Sequence, residues 1–180
     1  MRIATVGRGN IGGGLADLWE KAGHEVTRFG RDGGDVSDSE VVLVAVPGGA
    51  VADALDKVQG IEGKTVIDAT NLFGVDPPPG FPSNAEFIKS RTNGPTVKCF
   101  NLSYARLFDQ VADQSERPGN IWSGDEEARD VTEELIRDAG YEPFRGGPLE
   151  NAAAQEQFLK IMGGISNDIG PFFYRFWSPA

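Results

Sequence analysis

The hexapeptide Gly7-Arg8-Gly9-Asn10-Ile11-Gly12 matches G-x-G-x-x-G. The pattern alone is common, and its setting gives it chemical meaning. It follows a short strand-like stretch, Arg2 to Val6, and runs into Leu15, Leu18, Trp19 and Ala22 at helical spacing, with Gly23 as the stop. Glycines between a strand and a helix permit a tight turn and bring backbone N–H groups against a diphosphate, whose charge suits a helix N-terminus. Gly7, Arg8, Gly9, Asn10 and Ile11 are therefore expected to cradle a dinucleotide pyrophosphate. A glycine-rich turn without a ligand is the plainer alternative. For Arg8, stacking on an adenine, touching a phosphate and simple solvation are all open.

The end of the second strand selects between the two nicotinamide dinucleotides. An acid there accepts from a ribose 2′-hydroxyl, whereas an arginine pairs with a 2′-phosphate. The segment reads VTRFGRDGG, with Gly30 where the acid usually emerges and Arg31 after it. This favours NADP, with Arg31 on the phosphate; Asp32 is the competing diol acceptor. AVPGGAV, from Ala45 to Val51, joins a buried strand to a helix, so Ala45, Val46 and Pro47 fall at the carboxyl edge where open α/β sheets bind ligands. DATN and CFN bring Asn71 and Asn101 to the same edge, suited to the nicotinamide carboxamide or its ribose, or else to capping strand ends.

Other reactive residue types read as structural. His24 stands in a turn between helix and strand, and Cys99 lies in an apolar strand as a small buried hydrophobe. No Ser/His/Asp set, metal-ligand spacing or Walker motif is visible, and no catalytic residue or metal is nominated. Hydride transfer needs positioning and water exclusion more than a protein nucleophile.

The elements that must hold these residues alternate. Strands are expected at Arg2–Val6, Glu25–Phe29, Val41–Val46, Thr65–Thr70 and Thr96–Phe100, more weakly at Asn120–Gly124, with YEPF as an edge strand whose Pro143 excludes the centre. Helices are expected near Ala50–Val58, Asp125–Ala139 and from Asn151 to about Ile169, with VDPPPGFPS as a surface loop. The fold class is α/β: a Rossmann-like NAD(P)-binding domain with a parallel sheet and a C-terminal helix. Only RDGGDVSDSE separates the second strand from VVLVAV, so the crossover there is shortened to a loop. A chain of 180 residues suits one domain, 1–180, with a C-terminal helical segment at about 151–177.

Composition excludes other classes. Lys plus Arg is 17 and Asp plus Glu 27, and the resulting net charge of −10 is opposite to a nucleic-acid binder's footprint. One cysteine cannot form an internal disulfide, no signal-peptide pattern is seen, and no apolar run approaches the ~20 residues that span a bilayer. A cytoplasmic protein without nucleic-acid or membrane partners is expected.

GRGNIG, GHEVTRFGR, VVLVAVP, VIDATN, VKCFN and RGGPLENA occur in an order that resembles the coenzyme F420-dependent NADP oxidoreductases and their short dinucleotide-binding relatives, to about Glu156. The resemblance implies NADP over the fingerprint, its nicotinamide near Ala45–Pro47, and a deazaflavin stacked for direct hydride exchange. Gly30 stands where that family has Ser or Thr, and Ala153 where an arginine commonly follows GPLxNA. The expected function is an oxidoreductase passing hydride between NADP(H) and a flat redox partner, coenzyme F420 or a flavin; a non-catalytic NADP(H) sensor is the alternative, and a domain that has lost nucleotide binding the bland one. Phe158, Ile161, Met162, Ile165, Phe172, Phe173, Phe176 and Trp177 give the C-terminal stretch enough apolar surface to predict a homodimer.

Overall fold

A computed structural model describes residues 1–178; the last two residues of the expected domain, 179 and 180, lie outside the described residues. In chain order the elements are β1 (Arg2–Val6), α1 (Asn10–Lys21), β2 (Glu25–Phe29), β3 (Gly34–Asp35), β4 (Val41–Val44), α2 (Val51–Leu55), β5 (Val58–Gln59), β6 (Thr65–Asp68), α3 (Asn84–Thr92), β7 (Thr96–Cys99), β8 (Gly119–Gly124), α4 (Arg129–Asp138), β9 (Glu142–Gly147) and α5 (Ala152–Ile169). The main sheet runs β2-β1-β4-β6-β7-β8-β9.

Side chains of the central strands alternate between two buried faces. Ile3, Val41, Leu43, Ile67, Val97 and Cys99 pack with Leu15 and Trp19 of α1 and Leu135 and Ile136 of α4. Ala4, Val6, Val42, Val44 and Val66 face the other way, onto Val51 and Leu55 of α2 and Phe87 and Ile88 of α3. A strand covered on both sides carries no polar face, which is why β4 reads as an unbroken apolar run. The Trp19 Nε1–H donates to the Leu135 carbonyl at 2.9 Å, tying α1 to α4 without burying an unpaired donor.

The sheet is not parallel throughout. β2, β1, β4, β6 and β7 are parallel, but β8 runs antiparallel to β7, and β9 is parallel to β8. The β7–β8 connection, with its 3-10 turns at Ala105–Asp113, starts and finishes at the same sheet edge, so the strand must return reversed. β8 to β9 passes through α4 and restores a crossover. The expected helix over Ala50–Val58 is confined to Val51–Leu55 after a 3-10 turn, because Val58 and Gln59 pair with Gly34 and Asp35. This two-stranded ribbon occupies the shortened crossover, where no helix forms.

Helix α3 was not expected from the sequence. Its N-cap is Ser83, whose hydroxyl accepts from the Glu86 N–H at 3.2 Å. Ser83-Asn84-Ala85-Glu86 is a capping box directly after the proline-rich loop. The C-terminal helix ends at Ile169, where the sequence places its end, and the rest of the 151–177 segment is not helical. Beyond it the chain has no regular secondary structure: the Tyr174 carbonyl accepts from Gly119 N–H at 2.5 Å, and its hydroxyl accepts from Ile121 N–H at 3.1 Å. Among the described residues no helix is long and apolar enough to cross a membrane.

Candidate functional site

From β2 the chain passes back over β1 to β4, so the sheet's direction of winding reverses between β1 and β4. At such a switch point the loops leaving the two carboxyl ends diverge and leave a crevice. Here those loops are residues 7–9 and 45–50. A cleft of about 780 Å³ is lined by Gly7, Arg8, Gly9, Gly30, Arg31, Asp32, Ala45, Val46, Pro47, Asp53 and Lys57, among others. A second pocket of about 420 Å³ continues it past Ala45–Pro47 and adds Ile11, Thr70, Asn71, Phe73 and Val75. The two share one wall.

The fingerprint glycines have separate jobs. Gly7 has φ of 104°, and a Cβ there would overlap the Ala45 carbonyl, so this turn needs both left-handed backbone and close approach to β4. A Cβ at Gly12 would overlap the Gly7 carbonyl. Nothing lies within 4 Å of a Cβ built at Gly9, the α1 N-cap. That space is open to the cleft. The first intrahelical bond is Gly13 N–H to Gly9 carbonyl at 2.7 Å, which leaves the N–H groups of Asn10, Ile11 and Gly12 without backbone acceptors and supplies the positive end of the helix dipole. Asn10 itself lines neither pocket.

At the end of β2, Gly30 adds no side chain. The Arg8 guanidinium fills the space: a Cβ at Gly30 would stand 3.2 Å from its Nε and 3.5 Å from its Cζ. Arg31 is exposed on the same cleft, Lys57 pairs with Asp53 at 3.5 Å, and Asp32 follows Arg31.

The second pocket is shaped by amides. Asn84, fully buried on α3, donates to the Gly48 carbonyl at 3.0 Å and the Thr70 hydroxyl at 2.9 Å, locking the loops after β4 and β6 together. Asn71 lines the pocket, and Asn101 sits behind it, 4% exposed and lining neither pocket. The turn that delivers Asn101 rests on Phe100, whose φ of 60° is held by burial against Trp19 and Tyr141, with ring centroids 5.8 and 6.4 Å away. Gln155 of α5 donates to Asn101 Oδ1 at 2.8 Å. Sequence reasoning missed Asn84 and Gln155. The capping box would have located the first, whereas no local signal marks the second.

Beneath these amides lies an ionic cluster. Lys98 Nζ contacts the Asp68 carboxylate at 2.9 Å, the Thr70 carbonyl at 2.5 Å and Glu156 at 2.5 Å, with the Lys98 and Asp68 side chains fully buried. Burial raises the Glu156 carboxyl above its ordinary range; Lys98 pulls it the other way. Lys98 is thus committed internally, as are Lys89 to Asp125 and Arg91 to Asp56. His24 is structural, bonding Asp138 at 2.8 Å. Cys99 is buried, which pushes its thiol pKa well up, against the low-pKa, accessible character of a nucleophile. No cluster of metal-ligating side chains occurs among the described residues.

No family model matches the chain, and no curated protein matches its sequence. Solved structures match its architecture. A protein assigned as an F420-dependent NADP reductase, from Arthrobacter sp. FB24, superposes with a TM-score of 0.81 at 20% identity, over 99% of each chain. The chain has a Rossmann-like fold. A hypothetical protein, SMa0349, from Sinorhizobium meliloti shares this Rossmann-like architecture at TM-score 0.66 and 22% identity, over 84% of this chain and 86% of that one. So does a reductive aminase from Aspergillus terreus solved with NADPH and ethyl levulinate, at 0.68 and 15%, over 93% of this chain but 62% of the aminase. At these identities the likeness is one of fold.

Proposed function

We propose that this chain is an NADP(H)-dependent oxidoreductase that exchanges hydride with a flat, conjugated redox partner, coenzyme F420 or a flavin. The observation that carries the reading is the end of β2, where no acid emerges from Gly30 and two guanidiniums, Arg8 and Arg31, border the same cleft. A 2′-phosphate suits that corner, where the position that usually carries the diol-binding acid is Gly30 and the competing carboxylate, Asp32, comes two residues later. The reductase names and the NADPH complex of the structural neighbours agree with it.

The residues fit such a cofactor. The Asn10–Gly12 N–H groups meet pyrophosphate charge at the open Gly9 face, and Arg31 meets the 2′-phosphate. Ala45, Val46 and Pro47 wall the nicotinamide region, and Asn71, oriented by Asn101, offers its amide there. A bound nicotinamide supplies the hydride. Thr70 and Asn71 are the polar side chains lining the second pocket, which holds no charged lining residue; the protein's work is therefore to orient two rings and exclude water, with no general acid or base required.

We further propose a homodimer. Ile161, Ile165 and Ile169 recur at i, i+4 and i+8 on α5 and are exposed, as are Phe176 and Trp177.

The test is binding and turnover together. NADPH should bind more tightly than NADH, and Arg31→Ala should weaken NADPH by about tenfold to a hundredfold while sparing NADH. Oxidation of NADPH by F420, a flavin or a quinone supports the enzyme. Binding without turnover on any acceptor assigns the chain to NADP(H) sensing, and a wild-type preference for NADH with Asp32→Ala hurting NADH alone reverses the cofactor choice.

A further inference from the structure

Gly30 and Arg8 are in contact in the lining of the cleft. The guanidinium of Arg8 lies against the Cα of Gly30, within 3.2–3.6 Å of where any side chain at position 30 would begin. The φ of Gly30 lies outside the left-handed region, so its backbone does not demand glycine. The absent side chain serves space instead: it gives the Arg8 head a resting place at the end of β2. Arg8 is exposed and forms no ion pair among the described residues, in contrast to Arg28, which two carboxylates hold, and Arg91, which pairs with Asp56. Arg31 is likewise unpaired among the described residues. Two guanidiniums that are uncommitted among the described residues border one cleft, and a doubly charged phosphate monoester is a group that both can meet with charge-assisted hydrogen bonds.

We infer that Arg8 is a specificity-determining residue that grips the 2′-phosphate of NADP(H) jointly with Arg31, from the space left by Gly30, and is neither an adenine stacking plate nor a pyrophosphate contact. This rests on the NADP(H) reading above and adds a prediction that reading does not make. The identity of residue 30 should matter through Arg8. A methyl at position 30 should act by displacing the guanidinium, and should lose its effect once Arg8 is gone.

Two fragments isolate the phosphate: adenosine 2′,5′-bisphosphate and 5′-AMP differ only at the 2′ position. Arg8→Ala should weaken the bisphosphate by about tenfold or more and leave 5′-AMP within about twofold, as expected for a lost charge-assisted contact. Gly30→Ala should weaken the bisphosphate in the wild-type background and have no effect in the Arg8→Ala background. Melting curves for each variant check that the fold persists, as the exposed position of Arg8 leads one to expect. Equal losses on both fragments in Arg8→Ala would mean that the arginine stacks on adenine and would overturn the inference. Additive Gly30 and Arg8 effects would overturn it too. If wild type binds NADPH no better than NADH, the NADP(H) reading itself fails; if it prefers NADPH while Arg8→Ala changes nothing, only the role of Arg8 fails.

Discussion

Asn71 and Asn101 exchange hydrogen bonds across neighbouring strand ends. Asn71 Nδ2 donates to the Asn101 carbonyl at 2.7 Å, and Asn101 Nδ2 donates to Asn71 Oδ1 at 3.1 Å. The exchange fixes the amide that borders the second pocket. Asn101→Ala should therefore lower turnover more than it weakens NADPH binding, and should cost about 1–3 kcal/mol in stability by leaving buried amide partners unmet. Paired titration calorimetry and steady-state kinetics check it; parallel losses in Kd and kcat would place Asn101 on the nucleotide itself.

Lys98 holds α5 to the sheet through Asp68 and Glu156. Lys98→Met should destabilise the chain by about 3–5 kcal/mol, since two buried carboxylates lose their cation. A denaturant titration with an unchanged midpoint would contradict that.

Glu156 gives the cluster a pH signature. Its folded pKa is raised, chiefly by burial, so its contribution to stability is full below the ordinary carboxylate value of 4.5 and is lost as pH rises through the folded value. Gln has no proton to lose. The melting temperature of Glu156→Gln minus that of wild type should therefore climb as pH rises from about 4 and level off once wild type is ionised. A difference independent of pH would show that Lys98 cancels the burial penalty.

Gly9→Val should abolish NADPH binding without unfolding the protein, because nothing but the cleft lies within 4 Å of the new Cβ. Gly7→Ala should destabilise the fold itself, by collision with Ala45 and at a positive φ. Circular dichroism and calorimetry on both variants separate the two roles; wild-type affinity in Gly9→Val would remove the pyrophosphate from this turn.

The exposed α5 stripe predicts a dimer at micromolar concentration, and Ile165→Asp should convert it to a monomer. Light scattering on both proteins decides it, a monomeric wild type being the contrary result.

Much of the lining of the candidate cleft was legible because it is local in sequence. The turn from Gly7 to Gly12, the glycine and arginine after β2 and the Ala45–Pro47 loop each announce themselves within a few residues. Backbone geometry at a strand-to-helix turn demands particular residue types there, and strand alternation with helices brings those turns to one edge. The shortened crossover was legible from chain length alone. α3 was passed over because its charged, weakly patterned sequence follows prolines, although the Ser83–Glu86 cap marked its start.

What only the tertiary structure decided rests on contacts between distant segments. β8 reads as a strand in either direction, and its reversal follows from where the preceding connection ends. Lys98 and Glu156 look like solvated charges 58 positions apart until α5 folds back over β7. Nothing in the sequence places Arg8 against Gly30, 22 residues on, yet the fold sets its guanidinium 3.2–3.6 Å from where a side chain at position 30 would begin. Local sequence specifies backbone conformation, and so it could name the turns; which side chains meet depends on how those turns are brought together, which no short stretch of the chain contains.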